Sequence, residues 1–294
     1  MKAQVSKGIL MVALTAAIGL ISTNAMAVAL NPFQVTESSI QDGNTPANPA
    51  LLGSNYAGKI TGGYQERADF TPKTATTGDV NFSLLWNAGQ FCTTAGACPM
   101  ASYLGNIGST GYEMYALVTG TANYSTNLGT GKTTFNIHSG GSLQLFIDAA
   151  SDTTFTDPGI GGAASAWGTA NTADDYLIAQ GANVGGLGVL DPSLATCLSG
   201  GLNCGSFGEN TTFALTAAGK QYFTFPVPFY NLAFTSGQFN SFDPYAASGS
   251  QAINGSLDAT FGVPEPENVA LMGIGLLAMA GMLRKNRKQG RKQA

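Results

Sequence analysis

The sequence predicts an all-β protein, a sandwich or jelly-roll-like secreted domain, on three observations. Short runs alternate apolar and polar residues with a period of two, and Gly, Asn, Ser and Thr clusters separate them. No window between residues 30 and 262 sustains a helical period with caps at both ends, and 39 glycines disfavour long helices. The predicted strands are Tyr56–Phe70, Val80–Trp86, Tyr112–Tyr124, Thr133–His138, Ser142–Asp148, Asp175–Gly181, Thr211–Thr216, Gln221–Pro226, Tyr230–Thr235 and Gly255–Gly262. In Leu143–Asp148 the residues Leu143, Leu145 and Ile147 share one face. In Gln221–Phe225, Phe223 and Phe225 point one way, and Tyr222 and Thr224 the other. Phe82, Trp86, Tyr115, Phe135, Phe146, Phe223, Phe225, Phe234 and Phe261 are the expected core.

Both ends of the chain read as targeting segments flanking that domain. Lys2 and Lys7 precede an apolar run, Ile9–Ile21, and then Ala25-Met26-Ala27, the order of a secretory signal cleaved after Ala27. Sec export machinery and a signal peptidase are the implied partners. Residues 1–27 are thus a signal peptide with a signal helix, 28–54 an extended lead-in rich in Pro and Asn, and 55–262 the β-rich extracellular domain. Residues 263–288 form a tail containing an apolar helix at 269–283, and 289–294 are a basic terminus. Val269–Leu283 carries no charge and as a helix spans about 22 Å, enough to arrest in a bilayer when Arg284 and Lys285 snorkel.

Charge is segregated along the chain. Between Val28 and Val263 five bases face fifteen acids, a balance near −10, whereas the last eleven residues hold six bases and no acid. An acidic body excludes nucleic acid as a partner, and a basic cluster after an apolar run fits a cytoplasmic flank. Four cysteines fall as two close pairs, Cys92 with Cys98 and Cys197 with Cys204. In an exported chain these favour two local disulfides over a zinc site, whose ligand spacings are narrower.

The tail resembles the PEP-CTERM sorting signal of Gram-negative bacteria. The match is Val263-Pro264-Glu265-Pro266, a helix carrying Gly273, Gly275 and Gly281, then the basic cluster Arg284, Lys285, Arg287 and Lys288. That resemblance implies recognition by an exosortase, a transient inner-membrane span, and final residence at the cell surface or in the extracellular matrix. The body is similar to the flocculation-associated PEP-CTERM family. Ala29–Phe33, Leu143–Asp148, Gly219–Tyr230 and Asn254–Phe261 carry the likeness. It implies a non-enzymatic surface protein that helps cells hold together in flocs or biofilm, linked to extracellular polysaccharide.

Few residues in the body suggest catalysis. Gly129-Thr130-Gly131-Lys132-Thr133 lacks the upstream glycine of a phosphate loop and runs into a strand, so it reads as a hairpin turn. His138 is the single histidine and no Gly-x-Ser-x-Gly elbow occurs, so no catalytic residue is assigned. The body glutamates Glu37, Glu66, Glu113 and Glu209 sit in no recognisable catalytic block, although a polysaccharide-modifying enzyme would need two opposed carboxylates. Asp148, Asp152 and Asp157 flank a short loop, with Asp174 and Asp175 further on, and offer hard oxygen ligands for calcium. Tyr222, Phe229, Tyr230 and Tyr245 are candidate aromatics for stacking on sugar rings, the alternative reading being a calcium-dependent carbohydrate-binding module.

Overall fold

The computed structural model describes residues 30–40, 56–105, 111–198, 203–240 and 248–262. The signal segment with Ala25 and Ala27, the sorting motif Val263–Pro266, the apolar helix 269–283 and the basic cluster lie outside the described residues. Among the described residues no helix is long and apolar enough to cross a membrane.

The chain is all-β, as its alternation predicts. In order it forms β1 (Gln34–Val35), a 3-10 turn (Glu37–Ser39), β2 (Ala57–Pro72), β3 (Thr77–Thr93), β4 (Glu113–Thr126), β5 (Thr133–Ile137) and β6 (Gly140–Asp148). There follow β7 (Thr154–Thr156), β8 (Gly168–Ala170), β9 (Asp175–Leu190), α1 (Ala195–Leu198) and β10 (Gly205–Thr211). The last elements are β11 (Ala214–Leu215), α2 (Ala217–Tyr222), β12 (Phe223–Phe225), β13 (Asn231–Gln238) and β14 (Gly249–Gly262).

One antiparallel sheet of ten strands makes up the body, and it closes on itself. β2, β3 and β4 pair in sequence, and the far edge of β4 is shared by β5 near its end and β6 near its start. β9 is long enough to pair with β6 through its first half and β5 through its second. Its other edge takes β10, which pairs β13, which pairs β14, which returns to β2. The main ladder is therefore hydrogen-bonded all the way round, consistent with an all-β sandwich whose layers are joined at both sides, while β11 pairs with β9 alone. At the closing seam Gly205 and Gly186 permit the approach. A Cβ on Gly205 would lie 2.0 Å from the Val189 carbonyl oxygen, and one on Gly186 2.3 Å from that of Gly208.

Period-two alternation decides what enters the core. On β6, Leu143, Leu145 and Ile147 are all buried, as their shared parity requires. Trp86 is enclosed, its indole N–H donating to the Leu257 carbonyl at 2.9 Å and its ring edge-on to Phe234. Burying side chains of this size contributes about 1.5–3 kcal/mol each. One end of the closed sheet is stopped by the lead-in. Phe33 has no exposed surface and packs against Phe91, Phe223, Phe229 and Phe261. The extended lead-in expected at 28–54 is thus partly core: Phe33, Val35 and Ile40 are buried, while 41–55 lie outside the described residues.

Two predicted strands differ. Gln221–Pro226 is split, because Thr216 caps a helix by accepting from the Gly219 N–H at 3.1 Å. That helix, α2, packs so closely on β9 that a Cβ on Gly219 would sit 1.8 Å from the Ile178 carbonyl oxygen. Tyr222 and Phe223 are consequently both buried, and Phe225 turns outward. Thr211–Thr216 divides between the end of β10 and β11.

Candidate functional sites

An excursion, residues 149–174, leaves the sheet after β6 and returns into β9. It lies on the outer face, where Leu85, Tyr115, Leu117 and Trp167 form a second small core with Phe146 and Phe155 against it. The Trp167 indole donates to the Ser83 carbonyl at 3.2 Å, and Asp69 accepts from the Gly161 and Ala163 N–H groups. Arg67 forms a two-point ion pair with Asp157.

At the base of this excursion several carboxylates converge. Glu113, Asp148 and Asp175 stand in register across β4, β6 and β9, like charges directly opposite one another. The structure brings Asp148, Asp152 and Asp174 together, with one carboxylate oxygen from each within 4.8 Å of the others. Asp157 is corrected out of the calcium set: its carboxylate is taken by Arg67 and the Gly159 N–H, which hold it below the usual carboxylate range. Asp174, more distant in sequence, takes its place. Partial desolvation and the neighbouring Asp174 and Asp148 raise Asp152, although it is exposed, and burial and Asp148 raise Glu113. Asp175 is fixed by the Tyr115 hydroxyl at 2.5 Å and by Thr153. Glu113, Asp148, Asp152, Asp174 and Asp175 make no ion pair with Lys or Arg among the described residues.

Inside the sheet, Glu66 on β2 and Glu209 on β10 line one cavity of about 40 Å3 with Phe70, Phe82, Phe135 and Phe207. Both occupy the inward phase of their strands, beside Ala68 and Phe207. Glu209 is buried and its Oε1 has no hydrogen-bond partner. Glu66 retains some accessible surface and lines the cavity. Burial pushes Glu66 up to about 8, and burial together with the Glu66 charge pushes Glu209 up to about 8. At neutral pH both are predominantly uncharged acids. A cavity of that size takes about two or three waters and no sugar ring, so these opposed carboxylates are not laid out for glycoside hydrolysis. Parity flags Glu66 in the sequence, an acid between Tyr64 and Ala68 on the buried phase, but not its meeting with Glu209.

Glu37 is a third buried acid. Its Oε1 accepts from Ser102 Oγ at 2.6 Å, the Tyr103 N–H at 3.1 Å and the Tyr112 hydroxyl at 2.9 Å, which ties the lead-in to the body.

On the outer face of β14, β2 and β3 lies an open groove of about 310 Å3. Gln65, Asn87 and Asn254 line it over a floor of Gly63 and Gly255. Three amides, each able to donate and accept, with no charge in the lining, suit neutral polyhydroxylated ligands. The aromatic candidates divide differently from expectation. Tyr222 is buried with its hydroxyl on Tyr112, Phe229 and Tyr230 are half-buried against the core, and Tyr245 lies outside the described residues. Tyr56 and Phe225 are the exposed pair, edge-on at 5.3 Å.

His138 follows β5 and faces Thr121, and residues 129–132 form a turn into β5 organised by Asn127, which accepts from Gly129 and Thr130. Both cysteine pairs are joined, Cys92–Cys98 and Cys197–Cys204, consistent with an oxidising, exported environment. The second pins the approach to β10 beside the seam. No family model, curated protein or solved structure matches the chain.

Proposed function

We propose that the chain is an exported, non-enzymatic surface protein whose outer β face binds extracellular polysaccharide and holds cells together in flocs or biofilm. The groove of Gln65, Asn87 and Asn254 carries this reading. Sugar hydroxyls need paired donors and acceptors, amides supply both, and Gly63 between them leaves room for a ring edge. Exposed Tyr56 and Phe225 add a separate apolar platform. Single contacts of this kind are weak, and a surface array gains through multivalency. The filled sheet interior favours binding over catalysis, because its acid pair meets only a water-sized space.

Delivery to that surface rests on the termini. The signal read at 1–27 supplies export through Sec and signal peptidase. The Pro264-Glu265-Pro266 tail, with its apolar helix and basic cluster, supplies exosortase sorting through a transient inner-membrane span. The joined cysteines agree with that compartment.

The test replaces Gln65, Asn87 and Asn254 together by alanine in the chromosomal copy. Cells should lose flocculation as a deletion strain does, and the purified variant should no longer cosediment with polysaccharide from the same cells. Unchanged flocculation in the deletion strain would overturn the reading. Intact-mass measurement of the surface protein should place its ends after Ala27 and near the Pro264–Pro266 motif.

A further inference from the structure

We infer that Asp148, Asp152 and Asp174 hold one calcium ion that clips the two ends of the 149–174 excursion together. The inference is independent of polysaccharide binding. Asp148 is the last residue of β6, Asp152 lies early in the excursion, and Asp174 immediately precedes β9. The chain therefore leaves and re-enters the sheet at one point, and a ligand contacting all three residues bridges departure and return.

Asp148 carries the argument. It has no exposed surface; its Oδ2 accepts from the Thr153 N–H at 2.8 Å, and its Oδ1 has no partner. A carboxylate oxygen left buried and bare costs several kcal/mol unless a positive group faces it. No lysine or arginine supplies that charge among the described residues, whose ion pairs all lie elsewhere. The nearest candidates for a ligand shell are further carboxylates, which repel one another until a cation enters. Their spacing suits one. Oxygens sharing a calcium with bonds of about 2.4 Å lie no more than about 4.8 Å apart, and one oxygen from each of the three aspartates meets that limit.

The donor set selects the ion. All three ligands are hard oxygens, and the described cluster contains no histidine or cysteine for zinc. Asp152 is exposed, so water completes the six to eight oxygens that calcium takes. The other side of Asp174 is already oriented, its Oδ2 accepting from the Ala150 N–H at 2.6 Å. Asp175 and Thr153 are hydrogen-bonded to each other at 3.0 Å and brace the strand ends from outside the set. Binding would cancel the repulsion along the Glu113, Asp148 and Asp175 row and fasten an excursion otherwise held by Trp167 and the Arg67–Asp157 pair.

The experiment is calorimetric titration of the full chain in detergent with calcium after EDTA treatment, with melting followed in parallel. One calcium should bind per chain, and at a hundred times Kd the melting temperature should rise by about 5–10 °C. D152N/D174N should weaken calcium binding by about tenfold or more, as fewer charged ligands do. In EDTA that variant should melt no lower than the parent, since it loses repulsion and keeps amide oxygens as acceptors. D157N, which disturbs the Arg67 pair alone, should retain the calcium response. Absence of binding at millimolar calcium would overturn the inference. So would undiminished binding in D152N/D174N, or an equal response to magnesium.

Discussion

Replacing Glu66 and Glu209 by glutamine should remove most of the pH dependence of stability between pH 5.5 and 7.5. The sign follows from burial. An unfolded glutamate titrates near 4.5 and these two titrate near 8 in the folded chain, so folding takes up protons. Their contribution is fully favourable below pH 4.5, declines as pH rises, and is lost once pH passes 8. Within the chosen window the unfolded acids are ionised and the folded ones are not. The slope is then one proton per group, about 1.4 kcal/mol per pH unit each. Two groups across two units give about 5 kcal/mol, or a fall of about 10–20 °C in Tm for a domain of this size. Interaction between the pair widens the upper end, because the second acid ionises against the first.

Asp157 and Asp191 work in the opposite sense. Arg67 depresses Asp157, and Lys132 with Ser193 brings Asp191 to about 2, so their stabilisation is lost only in stronger acid. Stability should therefore peak near pH 4–5. Urea unfolding followed by the fluorescence of buried Trp86 and Trp167, in EDTA and with disulfides intact, measures the slope. E66Q/E209Q should show a nearly flat profile and exceed the parent above pH 7. The carboxylates at the base of the excursion remain in both proteins, so the difference between the two slopes isolates the pair. Parallel slopes would refute the reasoning outright, since no uptake of protons by the cavity acids could then accompany folding.

Two further outcomes test the seam. C197S/C204S should lower stability by about 2.5 kcal/mol, the chain-entropy value for so short a loop, seen as a lower urea midpoint. G205A should cost more than about 2 kcal/mol, because its methyl group would meet the Val189 carbonyl at 2.0 Å. Hydrogen exchange in that variant should accelerate first at the amides joining β9 and β10, while the β2–β3 amides stay protected.

Much of the fold was legible because strand alternation is a local property. Leu143, Leu145 and Ile147 are inward as their spacing requires, and the two cysteine pairs are neighbours in sequence and in space. Closure was not legible, since the pairing of β9 with both β5 and β10 depends on register between distant segments. The same limit hid the meeting of Glu66 with Glu209 and the convergence of Asp174 on Asp148. Local propensity misread Gln221–Phe225, where a Thr216 cap and contact with β9 outweighed the alternating aromatics. The groove amides gave no signal, for Gln65, Asn87 and Asn254 become neighbours only through cross-strand pairing.

The junction of lead-in and last strand has a mechanical consequence. Asn31 donates to the Phe261 carbonyl at 2.9 Å, and β14 ends one residue later between Asn231 of β13 and the start of β2. A tether joined beyond Gly262 pulls along a strand gripped on both sides. When the load is resisted from the far end of the sheet, near the turn at 73–76, the bonds from Thr260↔Lys59 to Gly249↔Phe70 are sheared together. An edge strand pulled sideways would release them one at a time. A domain loaded in this way would meet tension through a path in which many weak bonds must break at once.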